Sequence, residues 1–223
     1  MRNSLPVFLI ASTFAISCNE KSRTKKEYYP NGKIRRETKY KKGETSTKEV
    51  ISFYPNGQVE EKRTYINDRL NGVFVSFDAN GDSLSRGYFR DDKPIGPIYY
   101  YTDGRLMLYN ERDFSGDVYY VRKFDTESLK LIKEDGVCIS PNIAIVEKGK
   151  DKEFEFCFAQ PEGYRNEIHA EIDGDSVQII RMEGNVGRIL VSDWIGKSKT
   201  LKIVSTLSNG LQIVCQDSLV RII

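Results

Sequence analysis

Few side chains in this sequence are suited to chemistry, and their spacing does little to bring them together. His169 is the only histidine among 223 residues. A catalytic triad, a His-ligated metal centre or an imidazole general base would therefore have to run through it alone. It lies in an alternating stretch, the setting of a satisfied surface or edge histidine. The four cysteines, Cys18, Cys138, Cys157 and Cys215, form no Cys-x-x-Cys pattern of the metal-binding or redox kind. In an oxidising compartment the last three leave two arrangements open: one disulfide with one free thiol, or three unpaired buried thiols. Asp173-Gly174-Asp175 offers carboxylates but lacks the ligand count of a calcium loop, and as a hairpin turn it needs no ion. Asp91-Asp92 has no spacing that implies acid–base work. Neither Gly-x-Ser-x-Gly nor a phosphate-cradling glycine loop is present. These residues point to a protein that is not an enzyme and uses no metal and no cofactor.

The elements that carry these residues are written as a repeat. Tyr28-Tyr29-Pro30-Asn31-Gly32 returns as Phe53-Tyr54-Pro55-Asn56-Gly57, then as Phe77-Asp78-Ala79-Asn80-Gly81, then as Tyr100-Tyr101-Thr102-Asp103-Gly104. The turn glycines are spaced by 25, 24 and 23 residues. Asn and Asp favour local turn hydrogen bonds, and Gly accepts positive φ without steric cost. Pro-Asn-Gly therefore reads as a type I turn closing into a bulge at the glycine, at a hairpin tip. Tyr40, Tyr65 and Phe89 keep the same phase, each eight residues after a turn glycine. Gly72 and Gly96 read as the ends of looser loops between hairpins. Consecutive hairpins are marginal alone and must pair into one antiparallel sheet. Asp113–Leu131 reads as a degraded capping copy.

At these residues the chain resembles the MORN-repeat variant family of bacteria, over about residues 28–110. The resemblance implies a repeat fold and says little about activity. It carries the implication of antitoxin or immunity roles from some relatives, and of membrane association and scaffolding from eukaryotic MORN proteins. Twelve of the thirteen tyrosines fall between Tyr28 and Tyr120. Tyr covers apolar backbone while its hydroxyl stays wet, which suits a sheet with two half-wet faces. Tyr54, Tyr65, Tyr99, Tyr100 and Tyr101 are the candidate docking surface, because Tyr supplies contact area at low conformational cost.

Before the repeats, Arg2 and the apolar run Leu5–Ile16 read as a signal peptide over residues 1–17. Ala15-Ile16-Ser17-Cys18 resembles the lipobox of bacterial lipoproteins, which implies lipidation of Cys18. A plain secretory signal beside an incidental cysteine is the alternative. Residues 18–27 read as a tether. Residues 19–48 hold eleven Lys or Arg against four Glu, whereas the whole chain is only +2. That basic stretch suits either anionic head groups beside an anchor or a solvated tether and edge strand. Near-neutral overall charge argues against nucleic acid.

After the repeats, assigned to residues 28–135, the period stops. Residues 136–223 show about seven short strands between turn signals, which suggests a small immunoglobulin-like β-sandwich. There Phe154, Phe156 and Phe158 point inward, Glu153 and Glu155 face water, Ser176–Met182 is one strand, and Trp194 belongs to the core or edge. The fold class is all-β: a single-layer antiparallel repeat sheet followed by that sandwich. The function that follows is a membrane-anchored envelope lipoprotein, facing the periplasm, that binds a protein or other envelope macromolecule. An immunity or antitoxin-type protein is the alternative, and an envelope hydrolase a weaker one.

Overall fold

The structure is a computed structural model that describes residues 23–41, 46–148, 150–182, 185–192 and 198–222. Cys18 and Trp194 lie outside the described residues. Among the described residues every regular element is a strand.

Ten strands make one sheet: β1 (Thr24–Tyr28), β2 (Ile34–Tyr40), β3 (Thr47–Phe53), β4 (Val59–Ile66), β5 (Arg69–Phe77), β6 (Ser83–Arg90), β7 (Lys93–Thr102), β8 (Arg105–Arg112), β9 (Val118–Phe124) and β10 (Leu131–Gly136). Their order in space is their order in sequence, and every neighbouring pair is antiparallel. The sheet starts at Thr24, inside the stretch expected to be tether. Between β1 and β6 the one buried apolar side chain among the described residues is Ile51, so this part is a single layer wet on both faces. It is held by ladder bonds and cross-strand pairs. Examples are the edge-to-face rings of Phe74 and Phe89, 5.7 Å apart, and the Ser76–Ser85 hydroxyl pair at 2.7 Å.

The first three repeat tips close as the Pro-Asn-Gly reading requires. The Gly57 N–H donates to Tyr54 O at 2.8 Å and the Tyr54 N–H to Gln58 O at 2.8 Å, with Gly57 at φ 98°. The tips at Gly32 and Gly81 repeat both bonds. The fourth differs: Thr102 pairs with Arg105, and Asp103 and Gly104 both take positive φ, a two-residue turn without proline. The opposite bends are equally tight, with Asn67-Asp68 and Asp91-Asp92 both in the left-handed region. Gly72 and Gly96 are not loop ends. They lie within β5 and β7 where the register slips, at φ 113° and 65°. A bulge and a turn make the same conformational demand, so the residue type alone did not distinguish them. The bend between β8 and β9 reuses the five-residue tip geometry, with Gly116 in the glycine position.

Eight further strands follow: β11 (Ile139–Lys148), β12 (Asp151–Phe158), β13 (Arg165–Ile172), β14 (Asp175–Ser176), β15 (Ile180–Met182), β16 (Val186–Val191), β17 (Thr200–Ser208) and β18 (Ile213–Ile222). They form two four-stranded sheets, β11-β12-β16-β15 and β14-β13-β17-β18. Phe154, Phe156, Phe158 and Ile189 from one sheet meet Ile172, Leu201, Ile203 and Leu219 from the other in one core. The expected strand Ser176–Met182 is instead two short ones, and the chain crosses between sheets after Ser176.

Glu153 and Glu155 do not face water. Both are buried. Arg188 binds Glu155 at 2.6 Å and Glu153 at 3.6 Å, and Arg90 of β6 reaches Glu155 at 3.1 Å. The alternation along β12 is as expected, but part of the repeat sheet reaches its outer face. Such carboxylates persist only when paired.

Candidate functional site

The tips line up along one edge of the repeat sheet and bind one another. The Tyr29 hydroxyl donates to Phe53 O at 2.6 Å, and the Tyr54 hydroxyl donates to Phe77 O at 2.9 Å. Lys33 Nζ reaches Asn56 O at 3.0 Å, and Asn56 Nδ2 reaches Ala79 O at 2.7 Å. Asn31 and Asn56 also accept the N–H of Lys33 and Gln58. Where Asp78 replaces the aromatic, its carboxylate accepts the N–H groups of Asn80 and Asp82, both at 2.9 Å. Asn31, Gly32, Asn56, Gly57, Asn80, Gly81, Asp103 and Gly104 thus lie at the bends that build the ribbon, and Tyr54 is a strut between repeats.

The five candidate tyrosines do not share one surface. Ladder pairing puts Tyr65 and Tyr100 on one face, and Tyr99, which alternates with Tyr100, on the other. Tyr99 packs edge-on against Tyr109, 5.1 Å between ring centres, with the Arg86 guanidinium 4.2 Å above it. Tyr99 thereby joins the apolar cluster where the repeat sheet meets the sandwich, with Tyr109, Tyr119 and Tyr120 on one side and Cys157, Ala159 and Leu207 on the other. Tyr101 alternates with Tyr100 along β7.

That junction is polar as well as aromatic. Glu111 is completely buried, and its Oε1 accepts from the Tyr109 hydroxyl, from Gln160 N–H at 3.1 Å and from Asn185 Nδ2 at 2.8 Å. Its Oε2 has no partner. Burial pushes the Glu111 carboxyl up to about 7, against the lowering effect of the three donors. Asp113 accepts from Ser140 Oγ at 3.1 Å and Asn142 Nδ2 at 2.6 Å. Two acids of the repeat sheet thus dock against hydrogen-bond donors of the sandwich.

A second feature lies on the face that carries Tyr65. Lys48 pairs with Tyr40 on one side and Tyr65 on the other, so the recurring aromatics become neighbours. Arg23 covers the Tyr40 ring at 5.5 Å and Lys48 the Tyr65 ring at 5.3 Å. Tyr40, Lys48 and Tyr65 line a shallow concavity of about 370 Å³ with Lys25, Arg36 and Arg63. Its lining cations outnumber its lining carboxylates, Glu27 and Glu61, which are taken by Lys25 at 3.2 Å and Arg63 at 2.6 Å, while Lys48 pairs with Asp68 at 2.5 Å from outside the lining. Arg36 stands exposed. The common phase of Tyr40 and Tyr65 was visible in sequence, while the cations between them needed the register. His169 is exposed on β13 beside Ser176 and Val177. Asp173-Gly174-Asp175 is the hairpin turn expected, with Asp173 Oδ1 accepting Thr200 N–H at 2.8 Å.

The fold and this surface define a β-repeat protein with an attached sandwich. The MORN repeat variant model matches residues 24–42 and 47–67, the first two hairpins. A comparison with curated proteins gives no match. Among solved structures, the crystal structure of TarM is similar at 12% identity and a TM-score of 0.24. The similarity covers 52% of this chain and 21% of that one, so this chain spans about a fifth of TarM.

Proposed function

We propose that this chain is a bacterial envelope lipoprotein, anchored through Cys18 and facing the periplasm, which binds an acidic macromolecule with its repeat sheet and catalyses nothing. The observation that carries the reading is the cationic, tyrosine-lined concavity on the first hairpins. It occupies the stretch that the MORN repeat variant model matches. A charged concavity raises encounter rates with partners of opposite sign, and flanking rings add contact area. The sandwich is read as immunoglobulin-like. Its sheet β11-β12-β16-β15 follows the order A-B-E-D and β13-β17-β18 follows C-F-G, with β14 an added edge strand beside β13.

The test is capture of envelope components on the immobilised full chain and on a Lys25→Glu, Arg36→Glu variant, both exposed positions. Retention by the wild type that is lost in the variant and weakened by salt supports the reading. Equal retention by the two proteins overturns it. Vesicles with and without phosphatidylglycerol, run in parallel, separate a lipid surface from a soluble partner.

A further inference from the structure

Two thiols that lie 77 positions apart in sequence meet one carboxylate. Cys138 enters the sandwich just before β11, and Cys215 and Asp217 lie two apart on β18, the last strand. Asp217 Oδ2 accepts the Cys138 N–H at 2.7 Å, the Cys138 thiol at 3.2 Å and the Cys215 thiol at 3.0 Å. The two sulfurs and a carboxylate oxygen lie within 4.8 Å of one another. Cys138 is wholly buried and Cys215 is half-buried. Cys157 belongs to the same apolar cluster but not to this group of three, and its charged neighbours are Asp113, Glu111 and Arg90.

We propose that Cys138 and Cys215 are a redox pair that closes into a disulfide, tying the chain's entry into the sandwich to its last strand and leaving Cys157 a free thiol. The two sulfurs are at most 4.8 Å apart, and a bridge brings them to about 2.05 Å. A structural zinc site is the competing use of such donors, but it takes four ligands. Among the described residues only these three gather.

The reaction is thiol–disulfide exchange with a small or protein disulfide as oxidant. Cys215, the accessible sulfur, loses its proton to solvent, a step that Cys138, burial and the Asp217 carboxylate make slow by pushing the thiol up. It then attacks one oxidant sulfur, releasing one oxidant thiolate and leaving a mixed disulfide. Cys138 then loses its proton and attacks Cys215 Sγ, which expels the second thiolate. Two electrons pass to the oxidant, and the two protons end on its two thiols. Asp217 keeps the Cys138 N–H throughout, so the entry strand stays in place while the sulfurs move. The residue before Cys138 is itself bound to the repeat sheet, Val137 N–H to Tyr119 O at 2.9 Å. The bridge therefore locks the passage from one part of the molecule to the other.

The full chain is treated with oxidised glutathione or with dithiothreitol, then denatured, alkylated and mapped by mass spectrometry. The expected result is two fewer alkylated cysteines after oxidation and a linked peptide that joins Cys138 to Cys215. Cys157→Ser should keep that link, and Cys138→Ser and Cys215→Ser should each lose it. Because the map is read on wild-type protein, a variant that fails to fold does not rescue the proposal. Full alkylation after oxidation overturns it. So does a bridge that involves Cys157 or Cys18, or protection that appears only with added zinc and vanishes with a chelator.

Discussion

Replacing Glu111 with glutamine tests whether the junction between sheet and sandwich holds a carboxyl that resists ionisation. Glu111 is fully buried, one of its oxygens lacks a partner, and its carboxyl is raised from 4.5 to about 7. In the unfolded chain it ionises near 4.5. Between those values the folded protein holds a proton that the unfolded chain has released, so stability falls as pH rises. The contribution is complete below 4.5 and lost by the time pH passes about 7. At about 1.4 kcal/mol for each pH unit, that window corresponds to about 3 kcal/mol. Glutamine keeps the shape and carries no titrating proton. Denaturant unfolding from pH 4.5 to 8 should therefore show the variant gaining about 3 kcal/mol on the wild type across the window. Parallel profiles for the two proteins would mean that the carboxyl is solvated or already ionised, and the account of the junction would fail.

Two other substitutions probe the framework. Gly57→Ala meets no atom within 4 Å and suffers only from its φ of 98°, so it should cost about 1–2 kcal/mol in denaturant unfolding. Gly136→Ala should cost clearly more, because the added carbon would lie 2.2 Å from Tyr119 O, and equal losses would contradict the close approach. Arg188→Ala strips the partner that Glu153 and Glu155 share but leaves Glu155 its bond to Arg90, and should cost about 1–3 kcal/mol. Arg90→Ala leaves Glu155 its bond to Arg188 and should cost less by the same measurement; the reverse ranking refutes the assignment.

What could be read in the sequence was local. Pro-Asn-Gly at residues 30–32 and 55–57 fixes a turn by its own backbone preferences, and the tips lie where those residues place them. The inward run of Phe154, Phe156 and Phe158 followed from alternation alone. Gly72 and Gly96 were misplaced because positive φ marks a conformation and not its position along an element. Glu153 and Glu155 alternate correctly, yet what covers them comes from Arg90, some sixty residues earlier, and from Arg188 on a neighbouring strand. Ser176–Met182 has strand composition throughout, and nothing in it marks the crossing between sheets. Tyr99 carries the composition of a docking residue, but the sandwich claims part of its surroundings. That Cys138 and Cys215 both meet Asp217 follows from where the chain enters β11 and where β18 ends up, which no local pattern marks.

The ten-stranded ribbon keeps spatial order and sequence order identical. Each hairpin can therefore be deleted or duplicated without rethreading its neighbours, and each one changes the length by two strand spacings, about 10 Å. From β1 to β10 the span is about 43 Å at about 4.8 Å per strand, with the sandwich fastened near the far end. Copy number of the first hairpins, β1 to β4, thus sets how far the sandwich stands from the first strand, and changes confined to them would alter reach while sparing the junction, whose contacts come from β6 to β9.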